Sequence, residues 1–157
     1  MNQVAFGIDL GTTNTMLAMY YKGKTQVVEL GDGCLLPSVV QFSEQGTALR
    51  VGAQARNARL LDHEHTVLSV KRSMGHQKSI SLGSGVEVTS EKVSAEILKA
   101  LLEKAKHSIE KAWGSSQIST SRLQIISVRN WVREWVSPWM ACRNFFVALR
   151  AYRRIDG

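Results

Sequence analysis

The sequence predicts an α/β domain with a mixed sheet and flanking helices, followed by a tail of different character. Three observations carry this expectation. An apolar start, Val4-Ala5-Phe6, runs into a glycine turn, and two further apolar runs follow it, as three strands in meander order would. Strand and helix signals then alternate. A long amphipathic helix closes the region near Trp113.

Each element has a local reason. The first strand enters the turn Gly7-Ile8-Asp9-Leu10-Gly11-Thr12-Thr13-Asn14-Thr15, and Met16-Leu17-Ala18-Met19-Tyr20-Tyr21 leaves it as the second strand. Lys22-Gly23-Lys24 turns the chain into a third strand, Thr25-Gln26-Val27-Val28-Glu29-Leu30. A loop at 31–34 leads to Leu35-Leu36-Pro37-Ser38-Val39-Val40-Gln41-Phe42, a strand that begins near Pro37 because proline belongs at a strand start or edge. Residues 43–46 turn, Leu49-Arg50-Val51 makes a short strand, and 53–61 suits a short helix. Residues 75–85 read as a polar loop. Thr89 then supplies an N-cap with Glu91 in the first turn, and Val93, Ile97, Leu98, Leu101, Leu102, Ala105 and Ile109 recur at helical spacing. From Glu91 to Trp113 that helix spans roughly 34 Å at 1.5 Å per residue. It reads as a core packer with no site on it.

The turn at 7–15 carries the chemistry. Glycines let backbone approach oxygen anions, threonine hydroxyls donate hydrogen bonds, and an acid such as Asp9 can hold a metal-bound water. No Gly-Lys-Ser/Thr follows and no helix opens after the glycine, so this is not a P-loop. A plain β-hairpin turn rich in Gly and Thr is the bland alternative.

The string resembles the first phosphate loop of the actin–sugar kinase–chaperone ATPase superfamily, most closely the DnaK-type (heat-shock) chaperones. Thr15 stands where that family usually has Ser, which keeps the hydroxyl. Bacterial actin-like filament proteins carry a near-identical loop, so the distinction rests further along. Val51-Gly52-Ala53-Gln54-Ala55-Arg56 resembles the chaperone Val-Gly-x-x-Ala-Lys element, and Lys71-Arg72-Ser73-Met74-Gly75 resembles its Lys-Arg-x-x-Gly segment. Filament proteins lack the latter. The stretches 35–40 and 69–75 look closest to the HscA-type branch, which serves iron–sulfur cluster assembly.

The resemblance implies part of the first lobe of an actin-like ATPase (ribonuclease H-like) domain, with ATP and magnesium as cofactors. Asp9 would sit near the metal and its waters, and Gly11, Thr12, Thr13 and Asn14 would cradle the phosphates. Lys71 would act as the catalytic lysine, its charge offsetting that on the transferring phosphoryl group and positioning the attacking water. Partners implied for a full-length relative are an unfolded client protein and a J-domain co-chaperone. The second phosphate loop, the adenosine-binding segment and the substrate domain have no counterpart in this sequence. Alone, the chain is therefore expected to bind ATP weakly or not at all and not to turn it over.

Bulk properties fit a cytoplasmic protein. The 157 residues are 44% hydrophobic, enough for one core, and no apolar run approaches a membrane span. The N-terminus shows no secretory pattern, and Cys34 and Cys142 read as free thiols in a reducing compartment. The net charge of +7 is uneven: residues 115–157 hold seven Arg, no Lys and two acids. The rest has an ordinary solvated surface, which argues against a nucleic-acid or membrane partner.

The boundary therefore falls between 1–114, a partial nucleotide-binding domain, and 115–157, a basic Trp/Arg-rich tail. Val128, Trp131, Val132, Trp135 and Val136 form an apolar stripe beside Arg129 and Arg133, the pattern of a basic amphipathic helix. Such a helix would make the chain a small membrane- or nucleic-acid-binding protein, and a filament-forming ATPase fragment is the other alternative to a truncated chaperone. A shifted reading frame accounts for the tail differently. Leu149-Arg150-Ala151-Tyr152-Arg153-Arg154 can be coded so that a frame one nucleotide later reads Ser-Glu-Pro-Thr-Ala, a chaperone element. Out of frame, the tail is expected to be poorly packed and unable to complete the sheet.

Overall fold

The computed structural model describes residues 4–21, 24–68, 79–113 and 146–151. Strands β1 (Val4–Leu10) and β2 (Asn14–Tyr21) form an antiparallel hairpin whose register runs from Val4 opposite Tyr21 to Leu10 opposite Thr15. Side chains alternate across a strand, so Phe6, Ile8 and Leu10 share one face. Their cross-strand partners Met19, Leu17 and Thr15 share it too, and all six are buried. Strand β3 (Lys24–Val27) pairs with the far half of β2 and is exposed along its length. It is shorter than the sequence predicts, although Val28 and Leu30 beyond it still reach the core.

The run read as one strand over 35–42 is two. β4 (Leu36–Pro37) pairs with Asn14 and Thr15 at the start of β2. β5 (Val39–Phe42) belongs to a second sheet, between β6 (Ala48–Val51) and β7 (Thr66–Leu68). Ser38 alone separates the two sheets. Helix α1 (Ala53–Ala58) opens behind this joint from Gly52, whose φ of 81° lies in the left-handed region. That φ favours glycine, and a Cβ there would also displace the end of the Leu36 side chain.

A polar network ties the second sheet to the turn after α1. Arg50 Nη1 donates to Gln41 Oε1 at 2.7 Å, and Gln41 Nε2 donates to Asp62 Oδ2 at 2.9 Å. Asp62 Oδ1 meets His65 Nδ1 at 2.8 Å. The bond from Gln41 and then that from His65 hold the Asp62 carboxyl below the usual carboxylate range.

Residues 79–89, partly assigned to a loop by sequence, hold a small hairpin of β8 (Ser79–Ser81) and β9 (Glu87–Thr89). Helix α2 (Ser90–Trp113) follows at once, capped by Thr89 Oγ1, which accepts from the Lys92 amide at 3.2 Å. Val93, Ile97, Leu101, Ala105 and Ile109 form its buried stripe, and the helix packs against β2, β5, β6 and β9. At roughly 1.5–3 kcal/mol for each large apolar side chain fully buried, this stripe joins both main sheets into one core.

Two findings differ from the sequence reading. All strand pairs among the described residues are antiparallel, where a mixed sheet is predicted. Most neighbours here are linked by short turns, and parallel pairing needs a long crossover. The second concerns the tail. Phe146–Ala151 form strand β10, antiparallel to β1 from Val4 opposite Ala151 to Asp9 opposite Phe146. This part of the tail does complete a sheet edge, contrary to expectation, because pairing uses backbone groups that any sequence carries. The Trp-rich stretch at 128–139 lies outside the described residues.

Candidate functional site

Strand β1 delivers Asp9 and Leu10 to the head of the hairpin, Gly11 to Thr13 make the turn, and β2 starts at Asn14. Thr13 is exposed at the tip, while Asp9, Gly11, Thr12 and Asn14 are half-buried beside it. One hairpin head thus gathers five of the six residues singled out from sequence. The turn is tight: a Cβ on Gly11 would run into the carbonyl oxygen of Asn14. The sixth, Lys71, lies outside the described residues.

Sequence reasoning gave no role to the residue that pins this turn. Ser38 donates from Oγ to the Gly11 carbonyl at 2.8 Å and stands 2.9 Å from Thr15 Oγ1. Its backbone N–H donates to the Thr13 carbonyl at 2.9 Å. Ser38 and Thr15 are both buried, so these bonds are made away from water, where leaving a polar group unpaired is costly. The only signal was the Pro-Ser pair after two leucines, and nothing local in it points to residues 11 or 15.

The donor set suits a nucleotide phosphate accompanied by magnesium. The tip carries backbone amides and the Thr12 and Thr13 hydroxyls beside one carboxylate, Asp9. Among the described residues no group of three or more His, Cys, Asp or Glu could hold a metal alone. Magnesium does not need such a cage, since it keeps several waters and shares one or two carboxylates with phosphate oxygens. No helix among the described residues is long and apolar enough to cross a membrane.

Fold and loop together define part of the lobe of an actin-like ATPase. The Hsp70 protein family model matches residues 5–127, past the boundary at 114 that composition suggests, and the chain belongs to that family. It is 40% identical over 101 residues to the chaperone protein DnaK of Thermotoga neapolitana, covering 63% of this chain and 17% of that protein. It is 35% identical over 130 residues to the chaperone protein HscA of Serratia proteamaculans, covering 69% of this chain and 21% of that one. A DnaK of Methanothermobacter thermautotrophicus matches at 36% over 104 residues. The chain thus spans about a fifth of the length of the curated relatives it matches.

Proposed function

We propose that residues 1–114 carry one phosphate-binding part of a nucleotide site from an ATP-dependent molecular chaperone, and that the isolated chain does not turn ATP over. The observation that carries this is the Gly11–Asn14 turn, held by Ser38 at the head of β1 and β2. Gly11, Thr12, Thr13 and Asn14 bind phosphate oxygens through amides and hydroxyls. Asp9 orients waters around magnesium, which when bound offsets negative charge on the phosphates. Lys71 places its ammonium against the transferring phosphoryl group and positions the attacking water.

In the whole protein, this ATP cycle controls client binding together with a J-domain co-chaperone in the cytoplasm. The HscA likeness supports a place in iron–sulfur cluster assembly, beside general protein folding. The tail from about residue 115 reads as out of frame, although the family match runs on to residue 127.

Magnesium-dependent ATP hydrolysis by the purified 157-residue chain tests the reading. The expected rate is no higher than the buffer blank, and Lys71→Ala leaves it there. Turnover above the blank that Lys71→Ala abolishes would show a complete site and overturn the half-site reading.

A further inference from the structure

The joint between the two sheets contains more than a brace. A hydroxyl carries one proton, and a carbonyl oxygen only accepts. The 2.8 Å bond to the Gly11 carbonyl therefore takes the Ser38 proton. At 2.9 Å from Ser38, Thr15 must then be the donor, and the order is Thr15 hydroxyl to Ser38 hydroxyl to Gly11 carbonyl. With its backbone N–H on the Thr13 carbonyl, Ser38 holds two carbonyls of one short turn.

Peptide planarity turns this into a statement about donors. In a trans peptide the carbonyl of one residue and the N–H of the next point in opposite directions. Fixing the carbonyls of Gly11 and Thr13 toward Ser38 aims the N–H groups of Thr12 and Asn14 away from it. We infer that Ser38, with Thr15 behind it, is a positioning residue that presents the Thr12 and Asn14 amides to a phosphate group. This rests on the phosphate reading of the loop and adds the residue that sets its geometry. The family form with Ser at position 15 would keep the same relay, since only the hydroxyl takes part.

The test is residue-resolved amide exchange and amide chemical shifts on the full chain, for wild type, Ser38→Ala, Thr15→Val and Thr15→Ser, with magnesium ATP as the probe. Ser38→Ala should speed exchange at residues 11–14 by about 10- to 100-fold and leave the amides of α2 unchanged. It should weaken the response of the Thr12 and Asn14 amides to magnesium ATP by a similar factor. Thr15→Val keeps the shape but loses the donor, and should speed loop exchange by only about 2- to 10-fold. Thr15→Ser should match wild type, a rescue that a purely space-filling role would not give.

Loop exchange in Ser38→Ala within twofold of wild type, with α2 still protected, would overturn the proposal. Should Ser38→Ala lose protection everywhere, Thr15→Val decides: unchanged loop exchange, or equal damage by Thr15→Ser, overturns it. Binding by the isolated chain is expected to be weak, so magnesium ATP is added to millimolar concentration, and wild-type loop amides that still ignore it refute the phosphate reading for this chain. The exchange ranking still decides whether Ser38 orders the turn.

Discussion

β1 has a neighbour on each side, and the two are held for different reasons. β2 follows it after a short turn, in register over all seven residues of β1, with interlocking apolar partners such as Ile8 and Leu17. β10 comes from the far end of the chain and pairs with six residues of the same strand. Closing the longer loop costs on the order of 3 kcal/mol more in chain entropy than closing the hairpin. On the β2 side, local pattern, turn chemistry and burial all agree. On the β10 side, β1 pairs with a segment outside the family match. The β2 side is thus set by near neighbours in the chain, whereas the β10 side needs a segment from its far end.

The sharpest way to break this comparison is to remove packing from the β2 side. Leu17 is fully buried opposite Ile8, so Leu17→Ala should cost about 2–5 kcal/mol, read as a lower urea midpoint at constant slope. A loss below about 1 kcal/mol would mean that the hairpin core is not what holds β1.

Deleting residues 146–157 should do less. We expect a cost on the order of 1 kcal/mol, with faster exchange at those amides of β1 that face β10. Collapse of the whole body on deletion would make both sides of β1 equal and erase the contrast.

The smallest effect lies away from both edges and serves as a control. The Asp62 carboxyl is held low by Gln41 and His65, so these bonds favour its ionised form in the folded state. Its contribution is whole above the unfolded value of about 4 and fades as pH falls through the lower folded value. Wild type should thus lose more stability than Asp62→Asn on acidification below about pH 4. Parallel acid profiles for the two would remove Asp62 from the network that holds the second sheet.

The hairpin, β6 and α2 are legible from sequence because each is encoded by near neighbours: alternation, a glycine turn, a threonine cap, a stripe repeating every four residues. The break at Ser38 is not. Residues 35–42 carry one apolar pattern, and the reason to change sheets lies in partners 23 and 27 positions away, at Thr15 and Gly11. The β8–β9 hairpin escaped because each strand has three residues, too few to show a period. β10 overlaps an apolar run, Phe145 to Leu149, and escaped because the tail around it reads as out of frame. In the site, Asp9 and residues 11–14 were legible as a contiguous string, whereas Ser38 becomes visible only when distant strands are brought together.

That one residue spans two sheets also fixes the spacing of the chain. An inserted or deleted residue between Pro37 and Val39 would shift β5 by one position against β6 and β7, and side chains change faces at every step. Gln41 would trade places with an apolar neighbour and lose both Asp62 and Arg50. The turn at Ser43–Thr47 is tied too, since Lys92 Nζ donates to the Gly46 carbonyl at 2.8 Å and Ser84 Oγ to the Glu44 carbonyl at 2.9 Å. Length variation among relatives should therefore avoid the joint, as strictly as any catalytic position would.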